Sequence, residues 1–310
     1  MGEDTQKLDE VVVTALGIKR SEKALSYNVQ KVNNDALTSV KDANFVNSLN
    51  GKVAGVNIQR SASGVGGSTR VTMRGNKSIS GDNNVLYVVD GVPIGNQADR
   101  TGDGTGFGSG RTSGEGIANF NPDDIESVSV LTGPSAAALY GASAANGVIL
   151  INTKKGEAGK MRIDVSSSVE FMTPLTMPKF QNRYGISGNY YSWGDKLENQ
   201  PSYDPKDFFQ TGVNVTNAAS LSTGTDKNQT YLSLGTTNAK GIIHNNDYER
   251  YNVTVRNVAK MLKDKLTLDL SFMLSSVKEQ NMTSQGLYYN PLVPLYLFPA
   301  GDDFSKVQAY

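Results

Sequence analysis

The side chains that could do covalent or metal chemistry are few. The 310 residues include one histidine, His244, and no cysteine. Disulfides, thiolate zinc sites and cysteine nucleophiles are thereby removed, and any Ser-His-Asp triad or paired-imidazole site would have to be built on His244 alone. That residue lies in the polar run His244-Asn245-Asn246-Asp247, the setting of a solvated loop histidine. Glu126 and Glu170 are carboxylates of the sort a glycosidase needs, but no motif places them as a pair. Asp99 and Asp103 offer two side-chain ligands where calcium takes about six or more oxygens. The glycine-rich run from Thr101 to Gly110 lacks the Gly-Lys-Ser/Thr ending of a phosphate loop and does not join a strand to a helix. The expectation is no catalytic residue, no metal, no cofactor, and no enzyme.

Recognition has more material. The run Val11-Val12-Val13-Thr14 is β-branched in a polar setting, which suits a segment that adds as a strand to the edge of a partner's sheet. Segments 76–84 and 95–116 are rich in Gly, Ser, Asn and Asp, with Asn83, Asn84, Asp99, Arg100 and Asp103 as candidate substrate contacts, or else a disordered linker. Phe107 is their only aromatic residue, whereas Trp193 stands with Tyr190 and Tyr191 in another polar stretch, either as a ligand platform or as part of an interfacial aromatic belt. Thirty basic residues balance thirty acidic ones, so no global field favours nucleic acid.

The elements that must position these residues fall into two patterns. Up to residue 35 the chain reads as extended and poorly packed. Phe45, Val46 and Leu49 then have helical spacing, with Gly51 as the left-handed cap. Short strands are predicted at 53–60 and 70–74, and a hairpin at 85–94 turns on Asp90-Gly91, where both positions accept positive φ. Asn121-Pro122-Asp123-Asp124 has the cap, proline and acids of a helix start, and a strand, a helix from Pro134 to Tyr140 and a last strand to Thr153 follow. Residues 36–156 therefore read as a compact α+β domain.

After Gly156 the period becomes two. Met161, Ile163, Val165, Val169 and Phe171 share one face, and the alternation recurs near 213–221, 232–234, 251–255 and 266–274. No apolar run is long enough for a membrane helix, and Met1 is not followed by a signal-peptide pattern. A transmembrane barrel stays open, because its strands alternate lipid-facing and lumen-facing residues. The connections 223–227 and 260–264 are short while 174–212 and 238–247 are longer, which fits a barrel; periodicity alone fits half of a soluble sandwich as well.

Three segments, in order, carry a resemblance that favours the barrel. Leu8-Asp9-Glu10-Val11-Val12-Val13-Thr14-Ala15 looks like a TonB box. Ser48 to Val56, Val71-Thr72-Met73-Arg74-Gly75 and Leu86 to Ile94, with its Val-Asp-Gly-Val-Pro, resemble the plug of TonB-dependent transporters. The run from Asp124 to Val128, then Gly133-Pro134, Leu139-Tyr140-Gly141, Ala144 to Ile149 and Thr153 to Gly156, is similar to the end of that plug. Thr14 to Arg20, Ser78-Ile79-Ser80-Gly81 and Ala136 to Gly141 resemble the SusC/RagA branch.

The resemblance implies an α+β plug domain followed by antiparallel strands of an incomplete 22-stranded outer-membrane barrel. It divides the chain into an N-terminal segment with the box (1–35), a plug (36–156) and about five barrel strands (157–310). It implies TonB-dependent import of oligosaccharides or peptides across the bacterial outer membrane, with TonB as energy-coupling partner through Val11, Val12, Val13 and Thr14. A SusD-like surface lipoprotein would capture substrate, outer-membrane lipid would surround the wall, and Arg74 would pair with wall carboxylates. A ligand-sensing receptor using the same plug is the alternative. The family's usual signal peptide and small β-sandwich extension are not seen before the box, so the chain is expected to be processed, trimmed or an incomplete reading frame.

Overall fold

The computed structural model describes residues 11–13, 19–21, 29–60, 64–79, 83–94, 100–101, 111–112, 115–188, 192–199, 204–280, 290–299, 302 and 304. Near the start, β1 (Val11–Val13) pairs antiparallel with β2 (Lys19–Ser21), so the valine run forms one arm of a hairpin. Next come β3 (Val29–Asn33) and the one-turn α1 (Asn34–Thr38). Val29 and Val32 are buried, so this stretch packs where the sequence suggested a loose leader; its period of three spans too few residues to stand out.

A 3-10 turn at Phe45–Leu49 buries Phe45, Val46 and Leu49, each worth roughly 1.5–3 kcal/mol of transfer free energy. Asn44 caps it, its side chain accepting from the Val46 amide at 3.2 Å. β4 (Val56–Gln59) and β5 (Arg70–Met73) form a hairpin, as do β6 (Leu86–Val89) and β7 (Val92–Ile94) around Asp90 at φ 47° and Gly91 at φ 88°. Within the predicted loop, β8 (Arg100–Thr101) pairs with β9 (Arg111–Thr112). A 3-10 turn at Pro122–Asp124, capped by Asn121, leads into β10 (Ile125–Leu131), and α2 (Pro134–Tyr140) precedes β11 (Val148–Thr153).

The central sheet runs β3-β10-β11-β6-β7, with the β11–β6 pair parallel. Both faces are covered, as a mixed sheet of near-continuous Val, Ile and Leu requires. Val128, Ile149 and Ile151 face the Phe45–Leu49 turn and Met73, while Leu131, Val148 and Leu150 face Ala136 of α2.

The second half is an antiparallel meander: β12 (Gly159–Met172), β13 (Gly212–Gly224), β14 (Asn228–Lys240), β15 (Asp247–Met261) and β16 (Leu266–Gln280). The strands outrun the stretches visible in the sequence, and the predicted long connection near 238–247 shrinks to 241–246. A last short helix, α3 (Leu292–Leu297), follows. On one side of the wall Ile163, Leu234, Val255, Phe272 and Leu274 are exposed; on the other Asn214, Thr216, Ser233, Thr237, Arg250, Asn252 and Arg256 are buried against the α+β body. An apolar outside and a polar inside is the arrangement of a membrane barrel, the reverse of a sandwich strand. Among the described residues no helix is long and apolar enough to cross a membrane.

The apolar band also has the slope of a closed barrel. It centres on Ser166 in β12 (Met161 to Phe171) and on Leu270 in β16 (Leu266 to Leu274). Following the hydrogen-bonded register from Ser166 through Ala218, Gly235 and Asn252 arrives at Ser275, five residues past Leu270. At about 3.3 Å per residue and about 4.8 Å per strand, that offset over four strand steps is a tilt of roughly 40°. A level bilayer crosses these strands obliquely.

Candidate functional site

The site is the seam where the polar side of the wall meets the α+β body. It rests on two stretches of that body, residues 41–44 and 115–124, together with the Asp90 turn and the end of β11. Both stretches are irregular because short caps break them: Asp42 Oδ1 accepts from the Asn44 amide at 2.9 Å and Asn121 Oδ1 from the Asp123 amide at 3.2 Å. Backbone carbonyls left free by these turns point at the wall.

β15 receives them. Arg250, 1% exposed, donates through Nη1 to the Ala43 carbonyl at 2.8 Å and to the Ala118 carbonyl, and through Nη2 to Thr237 Oγ1 at 3.1 Å. One guanidinium thus ties both irregular stretches to the wall. Two residues on, Asn252 Nδ2 donates to the Asn119 carbonyl. Next on the same face, Thr254 Oγ1 donates to Asp124 Oδ2 at 2.8 Å, and Tyr231 OH of β14 donates to the other oxygen at 3.0 Å. Burial pushes the Asp124 carboxyl up, and these hydroxyl donors oppose the shift.

Two residues beyond Thr254 on the same face, Arg256 carries an ion network. Its Nη1 lies 2.9 Å from Asp90 Oδ2, while Nε and Nη2 grip both oxygens of Asp269 on β16 at 2.9 Å each. Asp90 also accepts from the Thr153 amide at 3.0 Å, and Lys155 reaches Asp269 at 3.0 Å. Across the seam at β12, Lys41 Nζ sits 2.7 Å from Asp123 Oδ2 and donates to Ser166 Oγ at 2.8 Å.

Glycines let the layers approach. A Cβ on Gly235 of β14 would lie 2.7 Å from Asn121 Nδ2, and one on Gly156 would lie 2.3 Å from the Thr230 backbone nitrogen. Behind the seam, Glu115 is 1% exposed and accepts from the Thr69 amide at 2.9 Å and Thr69 Oγ1 at 3.1 Å. Burial pushes its pKa up to about 7, against the lowering effect of those hydrogen bonds.

Chemically the seam mixes neutral hydrogen bonds with guanidinium contacts to carbonyls and carboxylates. Each neutral hydrogen bond is worth only about 0.5–1.5 kcal/mol net, because water competes for the same groups once the contact opens.

The predicted site residues fall elsewhere. Arg74 is exposed at the end of β5, at φ 57°, its amide bonded to the Gly55 carbonyl at 2.9 Å, and its guanidinium forms no ion pair among the described residues. In these strands the wall supplies Arg250 and Arg256 to backbone carbonyls and Asp90 of the body, while Lys155 of the body reaches Asp269 of the wall. Asn83 is buried and serves its own loop, accepting from the Lys77 and Ser78 amides at 2.7 and 2.8 Å and donating to the Ser78 carbonyl. Asn84 is half-buried beside it, Arg100 lies in β8, and Trp193 is 70% exposed. Thr14, Asp99, Asp103, Phe107, Tyr190 and Tyr191 lie outside the described residues. Arg250 and Arg256 stood in plain view as the polar face of β15; what pointed to their role was their position on a face that must meet something, and Asp90 read only as a turn former.

Comparison with known proteins agrees with this geometry. The family model described as TonB-dependent Receptor Plug Domain matches residues 21–148. The TonB-dependent receptor SusC of Bacteroides thetaiotaomicron is 32% identical over 282 residues, which is 87% of this chain and 26% of that protein. TonB-dependent receptor P39 of Formosa agariphila is 31% identical over 260 residues, 80% of this chain and 23% of that protein. The chain thus spans about a quarter of the curated relatives it matches. Among solved structures, the RagAB peptide importer in its open-open state superposes with a TM-score of 0.66 at 23% identity, over 87% of this chain and 32% of that one.

Proposed function

Because this chain belongs to the TonB-dependent receptors of the SusC/RagA type, with a plug followed by the first strands of an outer-membrane barrel, we propose that the whole protein imports nutrient molecules, oligosaccharides or peptides, across that membrane. The plug gates the barrel. TonB engages Val11–Val13 and Thr14 by strand addition, substrate reaches the outer surface from a SusD-like lipoprotein, and force on the N-terminal segment frees the plug. In this scheme the residues before β3 couple, β3 to residue 156 form the plug and 157–310 begin the wall. No bond is made or broken, and the energy enters as mechanical work.

The observation that supports the reading is the polar seam: buried arginines of the wall hold the plug through backbone carbonyls and Asp90. The β1–β2 pairing supports the coupling role, since the valine run already adopts the extended form that strand addition needs. Arg74, exposed on the plug, is assigned to carboxylates of strands that follow residue 310.

Val12→Pro tests the coupling. Proline removes a backbone donor from a strand of three residues without touching the plug core. Uptake of a bound substrate by whole cells should vanish while its affinity for the purified receptor is unchanged. Wild-type uptake by the variant contradicts the assignment.

A further inference from the structure

At the end of the wall where the plug runs into β12, the strands are joined by short turns, and in a membrane barrel those face the periplasm while the long connections lie outside. Two of them, 225–227 and 262–265, stand side by side, the Lys260 amide donating to the Lys227 carbonyl at 2.7 Å. They gather Lys227, Lys260, Lys263 and Lys265. All four are exposed, and among the described residues none of their ammonium groups makes a hydrogen bond or an ion pair. Two acids, Asp226 and Asp264, stand in the same turns. At the opposite ends of β14, β15 and β16 the balance is reversed, Lys240 and Lys278 standing with Asp247, Glu249 and Glu279.

The 262–265 turn also runs against backbone preference. Leu262, Lys263 and Asp264 follow one another at φ 54°, 56° and 64°, a conformation that Gly or Asn adopts readily and a bulky apolar residue does not. It holds Leu262 72% exposed beside Met261, at the foot of the outward apolar rows of β15 and β16. Height decides what meets these groups. The apolar band centres on Leu270 in β16, and Lys265 lies five positions below it. At about 3.3 Å per residue and a tilt of roughly 40°, that is about 13 Å from the midplane, against about 15 Å for half the hydrocarbon thickness. Leu262, whose carbonyl accepts from the Lys265 amide at 3.4 Å, therefore stands at the edge of the acyl chains, and Lys263 at the tip reaches past it into the headgroups. Ammonium groups at that depth meet lipid phosphate, and an apolar side chain beside them enters the acyl layer.

We propose that the paired turns are a binding surface for anionic phospholipid of the periplasmic leaflet, Leu262 entering the acyl layer while the four lysines hold phosphate. The surface is independent of what the receptor carries. The test is native mass spectrometry of the intact receptor in detergent, titrated with phosphatidylglycerol or with phosphatidylcholine of the same acyl chains. Wild type should retain phosphatidylglycerol about tenfold better or more. Lys227→Gln, Lys260→Gln, Lys263→Gln and Lys265→Gln combined should remove that preference, and arginine at the same four positions should keep it. Lys240→Gln with Lys278→Gln, at the far ends of the strands, should leave it unchanged. Leu262→Asn suits the positive φ, so the turn is kept, and it should weaken retention of both lipids about threefold. Excess inorganic phosphate should displace neither lipid. The surface is overturned by equal retention of the two lipids by wild type, by a preference that survives in the glutamine variant or is lost in the arginine or far-end variant, or by wild-type retention in Leu262→Asn. Displacement by phosphate overturns it too, since that marks a simple anion site.

Discussion

Arg256 holds two carboxylates from two different layers, and the geometry explains why the residue must be arginine. Its fork gives two parallel bonds to Asp269 and still leaves Nη1 for Asp90. A lysine ammonium is a point donor and cannot span both. Arg256→Lys should therefore keep the charge and lose the seam contact, lowering the unfolding free energy of the plug by about 2 kcal/mol, below the roughly 3–5 kcal/mol of a fully buried pair because Asp90 and Asp269 are partly exposed. Denaturant-dependent proteolysis of the plug measures it. A double-mutant cycle with Asp90→Asn should give a coupling above about 1 kcal/mol, and one below about 0.3 kcal/mol would deny that the pair bridges plug and wall.

At the scale of elements, the stretch 115–124 matters most, because it presents Ala118, Asn119, Asn121, Asp123 and Asp124 to the wall while Glu115 anchors its start to Thr69, next to β5. The Glu115 pKa is raised in the folded state to about 7 from an unfolded value of 4.5. Between those values the folded protein binds more protons than the unfolded one, so stability falls as pH rises through that window, by up to about 3 kcal/mol. Below pH 4.5 the contribution is fully present; above 7 it is lost. Hydrogen exchange at residues 115–120 should therefore speed up between pH 5.5 and 8 beyond the intrinsic base-catalysed rate, and Glu115→Gln should flatten that excess. An unchanged profile in the variant would clear Glu115 of the effect.

Legibility in the sequence followed the same scale. Asp90-Gly91, Gly51 and Asn121-Pro122 announced their turns because backbone geometry there depends on one or two residue types. The five wall strands announced themselves by period two, although β14 showed only Leu232 and Leu234, since its outer face continues with Thr236 and Asn238. What stayed hidden was pairing across long sequence separation. Nothing near Arg250 in the chain indicates that Ala43 and Ala118 will supply its acceptors, and three-residue spacing in Val29 and Val32 is too short to distinguish an edge strand from a loose leader.

For the whole molecule, the central claim is that the plug lies against the polar side of the wall in this register. The chain's lack of cysteine makes the claim directly measurable. A Cβ at Gly235 of β14 would stand 3.6 Å from Asn121 Cβ of the plug, within the range of a disulfide, and the amide nitrogen it would strike is removed when Asn121 is itself replaced. The measurement is mass spectrometry of the Asn121→Cys, Gly235→Cys receptor in oxidised outer membranes. A peptide joining β14 to the 115–124 stretch, formed in most molecules and reversed by reductant, is the predicted result. Two thiols that both remain open to alkylation would mean that the plug does not sit where its polar seam puts it.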